Sequence, residues 1–285
     1  MSLSKPRPIL KDMPYHIKKM IVESIPPFLD RLPLRKTSKE FMRIVDTAKF
    51  EMKLTIDDKT IEIKSGAGNA LRKEHPTTTE AIDHFKRFIS KQNVTFFAMS
   101  ISGDRAHSME FLEMLTATVH RPLRVKSIGM MGGGQARILE FMEPGTLKHV
   151  ALLSMNQAEV DSIFRMKQWK QAKSVVLMDI SAACEAWWDF TRFYIHNNPL
   201  INLTDLSKIL EHLINSDTFV EGVIHTFCTI EMIIEALGGG DWKSKQDEDE
   251  DRFAEKAFPV GNHGSRIIVQ AFHRRVEFIM NRTEQ

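Results

Sequence analysis

The sequence predicts a mixed α/β protein, with a small three-helix block at the N-terminus followed by a curved solenoid of strand–helix repeats. Three observations predict this. Residues 9–46 carry apolar residues at helical spacing, but in a stretch too short to bury a core alone. From residue 94 onward an apolar-x-x-apolar-x-apolar strand recurs at a period of about 25 to 27 residues. Amphipathic helical segments fill the gaps between those strands, as in an α/β solenoid.

In the N-terminal block, Pro14 suits the first turn of a helix, where its missing N–H costs nothing, and Asp12 favours the positive end of the helix dipole. Ile17, Met20, Ile21 and Ile25 then share one face. Ser24-Ile25-Pro26-Pro27 stops that helix, because a residue preceding proline avoids the helical region. A second short helix follows Asp30, with Pro33 at its third position, where an N–H is not needed. Thr37 and Glu40 read as a capping box for a third helix, whose apolar face is Phe41, Ile44, Val45 and Ala48.

Met52 to Ile63 alternates and is broken by Asp57-Asp58, which predicts a hairpin within a connector over residues 49–70. Thr77 and Glu80 form a second capping box, ahead of Ala81, Ile82, Phe85, Phe88 and Ile89. The strand copies are Val94/Phe97/Met99, Leu147/Val150/Leu152 and Ala172/Val175/Leu177, with a weaker copy at Leu123, Val125 and Ile128. The intervening helices present Phe111, Leu112 and Leu115, then Val160, Ile163 and Phe164. The period matches that of leucine-rich repeats, so the predicted solenoid is leucine-rich-repeat-like, a parallel sheet with helices outside it.

Composition excludes several functions. The chain has 285 residues, 42% of them apolar and 27% charged, and a formal net charge of +2, which implies neither a nucleic-acid nor a membrane partner. No apolar run is long enough to span a bilayer or to serve as a secretory leader. Cys184 and Cys228 are the two thiols and suit a reducing compartment, cytoplasm or nucleus. The Gly132–Gly134 run lacks the lysine that completes a phosphate loop. The histidines show no zinc-ligand spacing, and no nucleophile elbow occurs. Nothing in the sequence pairs Asp57, Asp58, Asp179, Glu185 or Asp189 as acid and base. The expectation is therefore a non-enzyme with no cofactor and no metal.

The spacing of Leu10, Pro14, Ile17, Ile21, Ile25, Leu32, Leu34, Ser38 and Phe41 resembles an F-box over residues 9–48, with Met13 where leucine usually precedes the proline and Pro33 interrupting the second helix. Farther on, L-E-F-M-E-P-G-T-L-K-H-V-A-L and the run Gln168-Trp169-Lys170-Gln171-Ala172-Lys173 resemble the FTH domain that follows the F-box in nematode F-box A proteins. This second resemblance spans roughly residues 71–285, behind a tail at 1–8. Gly238–Gly240 and the acidic run 247–251 depart from the family pattern and are expected to form a mobile insertion at about 238–256.

The two resemblances imply a substrate-recognition adaptor of an SCF-type (Skp–cullin–F-box) ubiquitin ligase. On that reading Leu10, Met13, Pro14, Ile17, Met20, Ile21, Ile25, Leu32, Leu34 and Phe41 dock a Skp-type adaptor protein and, through it, a cullin ligase. The repeat domain then holds an unidentified target protein. The alternative is a repeat scaffold outside the ligase system, with the N-terminal helices as a solenoid cap. Trp169 is expected in the core, following the stripe Val160-Ile163-Phe164. Of Trp187 and Trp188, one is expected buried and one exposed, and both are candidate target contacts.

Overall fold

A computed structural model of the chain describes residues 13–18, 37–41, 43, 51–56, 60–65, 70–89, 95–102, 105–132, 136–246, 252–260 and 265–282. The chain divides into two compact units, Met1–Lys126 and Ser127–Gln285.

In the first unit, the strands β1 (Glu51–Ile56), β2 (Thr60–Ser65), β3 (Ala70–Glu74) and β4 (Thr95–Ser102) run in the order β4-β1-β2-β3. The expected hairpin is present as the antiparallel pair β1–β2, and β1 also pairs in parallel with β4. The connector is thus part of a sheet. Helix α1 (Thr78–Ile89) starts at Thr77, whose hydroxyl accepts from the Glu80 N–H, as the capping box predicts. With α2 (Arg105–Thr118) it closes a core in which the Phe85 ring meets Phe96 at 5.9 Å and Phe111 at 5.6 Å. One expectation is corrected. Phe97 is half exposed and Phe96 is buried, because the register with β1 slips there: Met52 pairs with Phe96 but Lys53 with Ala98. Phe97 is the extra residue of a bulge, which turns it to the opposite face.

The second unit is built on β5 (Arg124–Met131), β6 (His149–Leu153), β7 (Ser174–Met178), β8 (Arg192–His196) and β9 (Glu221–His225), each parallel to the next. Their apolar residues stack in register. Ile128, Val150, Val175, Phe193 and Gly222 form one row; Met130, Leu152, Leu177, Ile195 and Ile224 form the next. Burial of each such side chain is worth about 1.5–3 kcal/mol. They form the core with Val160 and Ile163 of α3 (Gln157–Arg165), Trp169 of α4 (Lys167–Lys170), Leu206, Ile209 and Leu213 of α5 (Leu203–Ile214), and Ile233 of α6 (Ile230–Ala236). The segments after β5 and β7 hold short 3-10 turns, Ala136–Phe141 and Cys184–Ala186, in place of α-helices.

The parallel run ends at β9. The strands β10 (Lys243–Gln246), β11 (Arg252–Val260), β12 (Ser265–Phe272) and β13 (Arg275–Asn281) are antiparallel and join through β13 to β9, giving the order β10-β11-β12-β13-β9-β8-β7-β6-β5. Repeat reasoning alone does not foresee this antiparallel addition. The expected mobile insertion at about 238–256 is corrected in its flanks, which pair as β10 and β11; the acidic run 247–251 lies outside the described residues.

Candidate functional site

The edge of the second unit at the carboxyl ends of its parallel strands is built by a recurring device. Each of β5 to β8 is followed at once by a residue in the left-handed region: Gly132 (φ 100°), Ser154 (φ 49°), Asp179 (φ 55°) and Asn197 (φ 57°). Glycine, asparagine and aspartate tolerate that conformation best, and it turns the chain sharply off the sheet. The turns are tied to one another. The N–H groups of Gly132, Ser154 and Asp179 donate to Leu153, Met178 and His196 carbonyls at 3.3, 2.9 and 3.1 Å. Asp179 accepts from Asn197 Nδ2 at 2.8 Å and from Ser154 Oγ at 3.4 Å.

Beyond the ladder, two loops present apolar side chains. After β8, buried Asn198 donates to the Ala182 carbonyl at 2.6 Å and accepts from the N–H groups of Ala182 and Leu200. It therefore fixes Leu200, which is 53% exposed. After β9, Thr226 Oγ1 accepts from the Cys228 N–H, and Phe227 between them is 76% exposed. The His273-Arg274 turn joining β12 to β13 reaches the same edge, since Arg275 pairs with His225 at the end of β9.

Below this edge lies the sheet face opposite the core. Tyr194 Oη and His225 Nε2 are 3.0 Å apart, and the His225 and His196 rings are 4.8 Å apart. The Arg275 guanidinium sits 4.1 Å from the Phe272 ring, which stacks on Phe253 at 4.9 Å. Arg275 Nε lies 3.0 Å from Glu277 Oε1, and Arg192 pairs with Glu221 at 2.9 Å. Burial, then the nearby His196 and Arg275, hold the His225 imidazole below its ordinary pKa. His149, although exposed, is lowered by partial desolvation of its ring and then by Arg192. Among the described residues no three His, Cys, Asp or Glu side chains converge as a metal site. The chemistry available is recognition by aromatic, imidazole and guanidinium groups.

The expected site residues fare differently. Residues 15–18 are helical, and the Lys18 N–H donates to the Pro14 carbonyl at 3.1 Å, so Pro14 stands at the N-cap, one position ahead of the first turn expected for it. Met13 and Ile17 are half-buried, Pro14 is exposed, and Phe41 is buried at 3% exposure. The third helix is capped by Ser38, whose hydroxyl accepts from the Phe41 N–H at 3.1 Å, one residue later than the expected Thr37. Lys18, unremarked in the sequence, is buried and pairs with Glu40 at 2.6 Å. Leu10, Met20, Ile21, Ile25, Leu32 and Leu34 lie outside the described residues.

Trp169 is in the core, donating to the Ala186 carbonyl at 3.0 Å between the rings of Phe164 and Phe190, and Gln168 beside it donates to the Met142 carbonyl at 3.0 Å. Trp187 is fully buried against Phe193 and is corrected as a target contact. Trp188 is half-buried and stacks at 4.5 Å on His212, which meets Asp189 at 2.9 Å. Sequence reasoning missed the edge. Its signal was a small or polar residue two positions beyond each strand motif, as in Leu152-Leu153-Ser154 and Leu177-Met178-Asp179.

Residues 106–237 match the FTH domain, so the chain carries that domain across the strand–helix region that builds this edge. No curated protein matches the chain. Among the described residues no helix is long and apolar enough to cross a membrane.

Proposed function

We propose that the protein is a non-catalytic substrate-recognition adaptor of an SCF-type ubiquitin ligase, in which residues 9–48 act as an F-box that docks a Skp-type adaptor and the FTH-containing region holds a target protein. The observation that carries this reading is the FTH domain at residues 106–237 lying behind an N-terminal block with F-box spacing. The local structure of the block is compatible with it. A helix starts after Pro14, and another is capped by Ser38. Catalysis on this reading belongs to the ligase, and the adaptor contributes proximity by holding the target near the charged ubiquitin carrier. The repeat region, read as a leucine-rich-repeat-like solenoid, supplies a firm platform for that purpose.

The test is co-expression of the full chain with a Skp-type protein. The parent chain is expected to co-purify with it, and both Ile21→Asp and deletion of residues 1–48 are expected to abolish capture. Equal capture by all three forms, or by none, overturns the reading.

A second reading, a scaffold whose N-terminal helices cap the repeat, draws support from Phe41. That residue is a proposed docking contact yet is already 3% exposed without any partner. If the helices are a cap, deleting residues 1–48 lowers the unfolding temperature of the remainder. If they are a docking module, the deletion leaves it unchanged.

A further inference from the structure

We infer that the edge at the carboxyl ends of β8 and β9 takes an acidic peptide segment carrying an apolar side chain, with Phe227 and Leu200 receiving the apolar group and Arg274 the carboxylate. This rests on the reading that the FTH-containing region binds a target protein, but not on the docking of a Skp-type adaptor.

Three observations converge. Phe227 and Leu200 are the most exposed apolar side chains of the second unit among the described residues, and both come from loops after adjacent strands. Neither loop is loose. Asn198 ties the Leu200 loop to Ala182, and the Arg274 backbone brackets Phe227: its N–H donates to the Cys228 carbonyl at 3.1 Å and its carbonyl accepts from the Thr226 N–H at 2.9 Å. Apolar groups held out by hydrogen-bonded backbone are pre-organised for a partner.

Arg274 itself is the second observation. It adopts φ 63° at the last position of a two-residue turn, where glycine or asparagine fits without strain. A long cationic side chain at a strained position directs attention to function, because nothing in the turn requires it.

Charge is the third. The acids near this edge are engaged: Asp179 by Asn197 and Ser154, Glu277 beside Arg275, and Glu231 by Thr229 with His273 close by. No described carboxylate pairs with the exposed Arg274, and His273 next to it is also exposed. An arginine whose backbone is bonded to the Phe227 loop, with Leu200 on the loop after the adjacent strand, fits a carboxylate flanked by an apolar residue. The modest formal charge of +2 and the two apolar anchors argue for a peptide over a nucleic acid.

The test is fluorescence anisotropy of the purified full chain with a labelled pool of short peptides, each having one Phe or Leu flanked by Asp and Glu. A matched pool has Lys at every acidic position. A single-stranded oligonucleotide and phosphatidylserine-containing vesicles serve as other polyanions. The acidic pool is expected to bind, the lysine pool not. Arg274→Gly and Phe227→Ser are each expected to weaken binding by about tenfold or more. Arg274→Gly is also expected to unfold no earlier than the parent, since glycine relaxes the turn. If Arg274→Gly does not fold, Phe227→Ser decides alone. Absence of binding, binding unchanged in the variants, equal binding of the lysine pool, or tighter binding of the oligonucleotide or vesicles each overturns the inference. Co-purification with a Skp-type protein is expected to be unchanged in both variants, which separates this failure from failure of the ligase reading.

Discussion

Gly222 is the point at which the strand register of the second unit is most exposed to experiment. It occupies the row held elsewhere by Val150, Val175 and Phe193, and it faces Phe193 on β8 and Phe278 on β13. A Cβ on Gly222 would stand 2.2 Å from Cε2 and Cζ of the Phe193 ring and 2.8 Å from Cε1. Reaching ordinary contact distance requires the ring to retreat by about 1.3 Å. It has nowhere to go: Trp187, Phe219 and Phe278 surround it at 4.9, 5.8 and 6.5 Å and are fully buried.

Overpacking of this kind costs about 1–3 kcal/mol, and the lost glycine entropy in the unfolded chain returns only about 0.4–1 kcal/mol. Gly222→Ala should therefore destabilise the unit by about 1–2 kcal/mol, which lowers its unfolding temperature by about 2–8 °C. Tryptophan fluorescence is the appropriate assay, because Trp169, Trp187, Trp188 and Trp242 all lie in the second unit. Phe193→Leu, destabilising alone, should partly rescue Gly222→Ala, with a coupling of about 1 kcal/mol or more in the double-mutant cycle. An unfolding temperature within about 1 °C of the parent, or strict additivity in the cycle, would refute the Phe193–Gly222 register.

Three further outcomes follow from the same structure. His225 and His149 have lowered pKa values in the folded state, so the unfolded chain binds more protons as the pH falls through about 6.5, and stability declines below that point while staying flat above it. Chemical denaturation from pH 7.5 down to 5.5 should show a shallower decline in the His149→Gln/His225→Gln double variant; an unchanged slope counts against the lowered imidazole pKa values. Burial and the neighbouring Glu185 push the Cys184 thiol up to about 11, whereas Cys228 is half-buried, so mass spectrometry after brief maleimide treatment of native protein should find label on Cys228 and little on Cys184. Removing the partner of a buried ammonium costs more than removing the ammonium itself, so Glu40→Ala should speed amide exchange in peptides covering residues 13–18 and 37–43 more than Lys18→Met does; the difference should be small, about 1 kcal/mol, because Glu40 is 44% exposed.

Much of the fold was legible because strand burial follows a period of two. Leu147/Val150/Leu152 is buried throughout, and Val175 and Leu177 follow it. The same motif also occurs at Phe190/Phe193/Ile195, all buried, and at Phe219/Gly222/Ile224, where it is disguised by the glycine. In both, aromatic residues stand at the first position of the motif, and the second is intelligible only with Phe193 in view, since its ring fills the space a side chain at 222 would take. The bulge at Phe97 was illegible for a related reason: two adjacent phenylalanines satisfy either face, and pairing with β1 chooses between them. The strands β12 and β13 carry clear local alternation and β10 carries none, while the attachment of β13 to β9 is a long-range pairing that alternation does not encode.

The candidate site was less legible than the fold, because binding edges are assembled from residues that look unexceptional one at a time. Ser154, Asp179 and Asn197 are far apart in sequence, and only in-register strands make them a ladder. Phe227 reads as one more core aromatic until the loop after β9 turns it outward, and Arg274 reads as part of a basic turn until its φ is known. The sequence drew attention instead to Trp187 and Trp188, since aromatic pairs suggest a binding anchor, yet the same size that makes tryptophan a good anchor makes it a good core residue. Burial separates the two roles, and it leaves Trp187 inside and sends the question of recognition to the loops after β8 and β9. A target-binding surface there would sit on backbone tied by the Asn198 side chain and by the Thr226 hydroxyl, which accepts from the Cys228 N–H, so Asn198→Ala and Thr226→Val should disturb recognition as much as loss of the apolar side chains these ties hold.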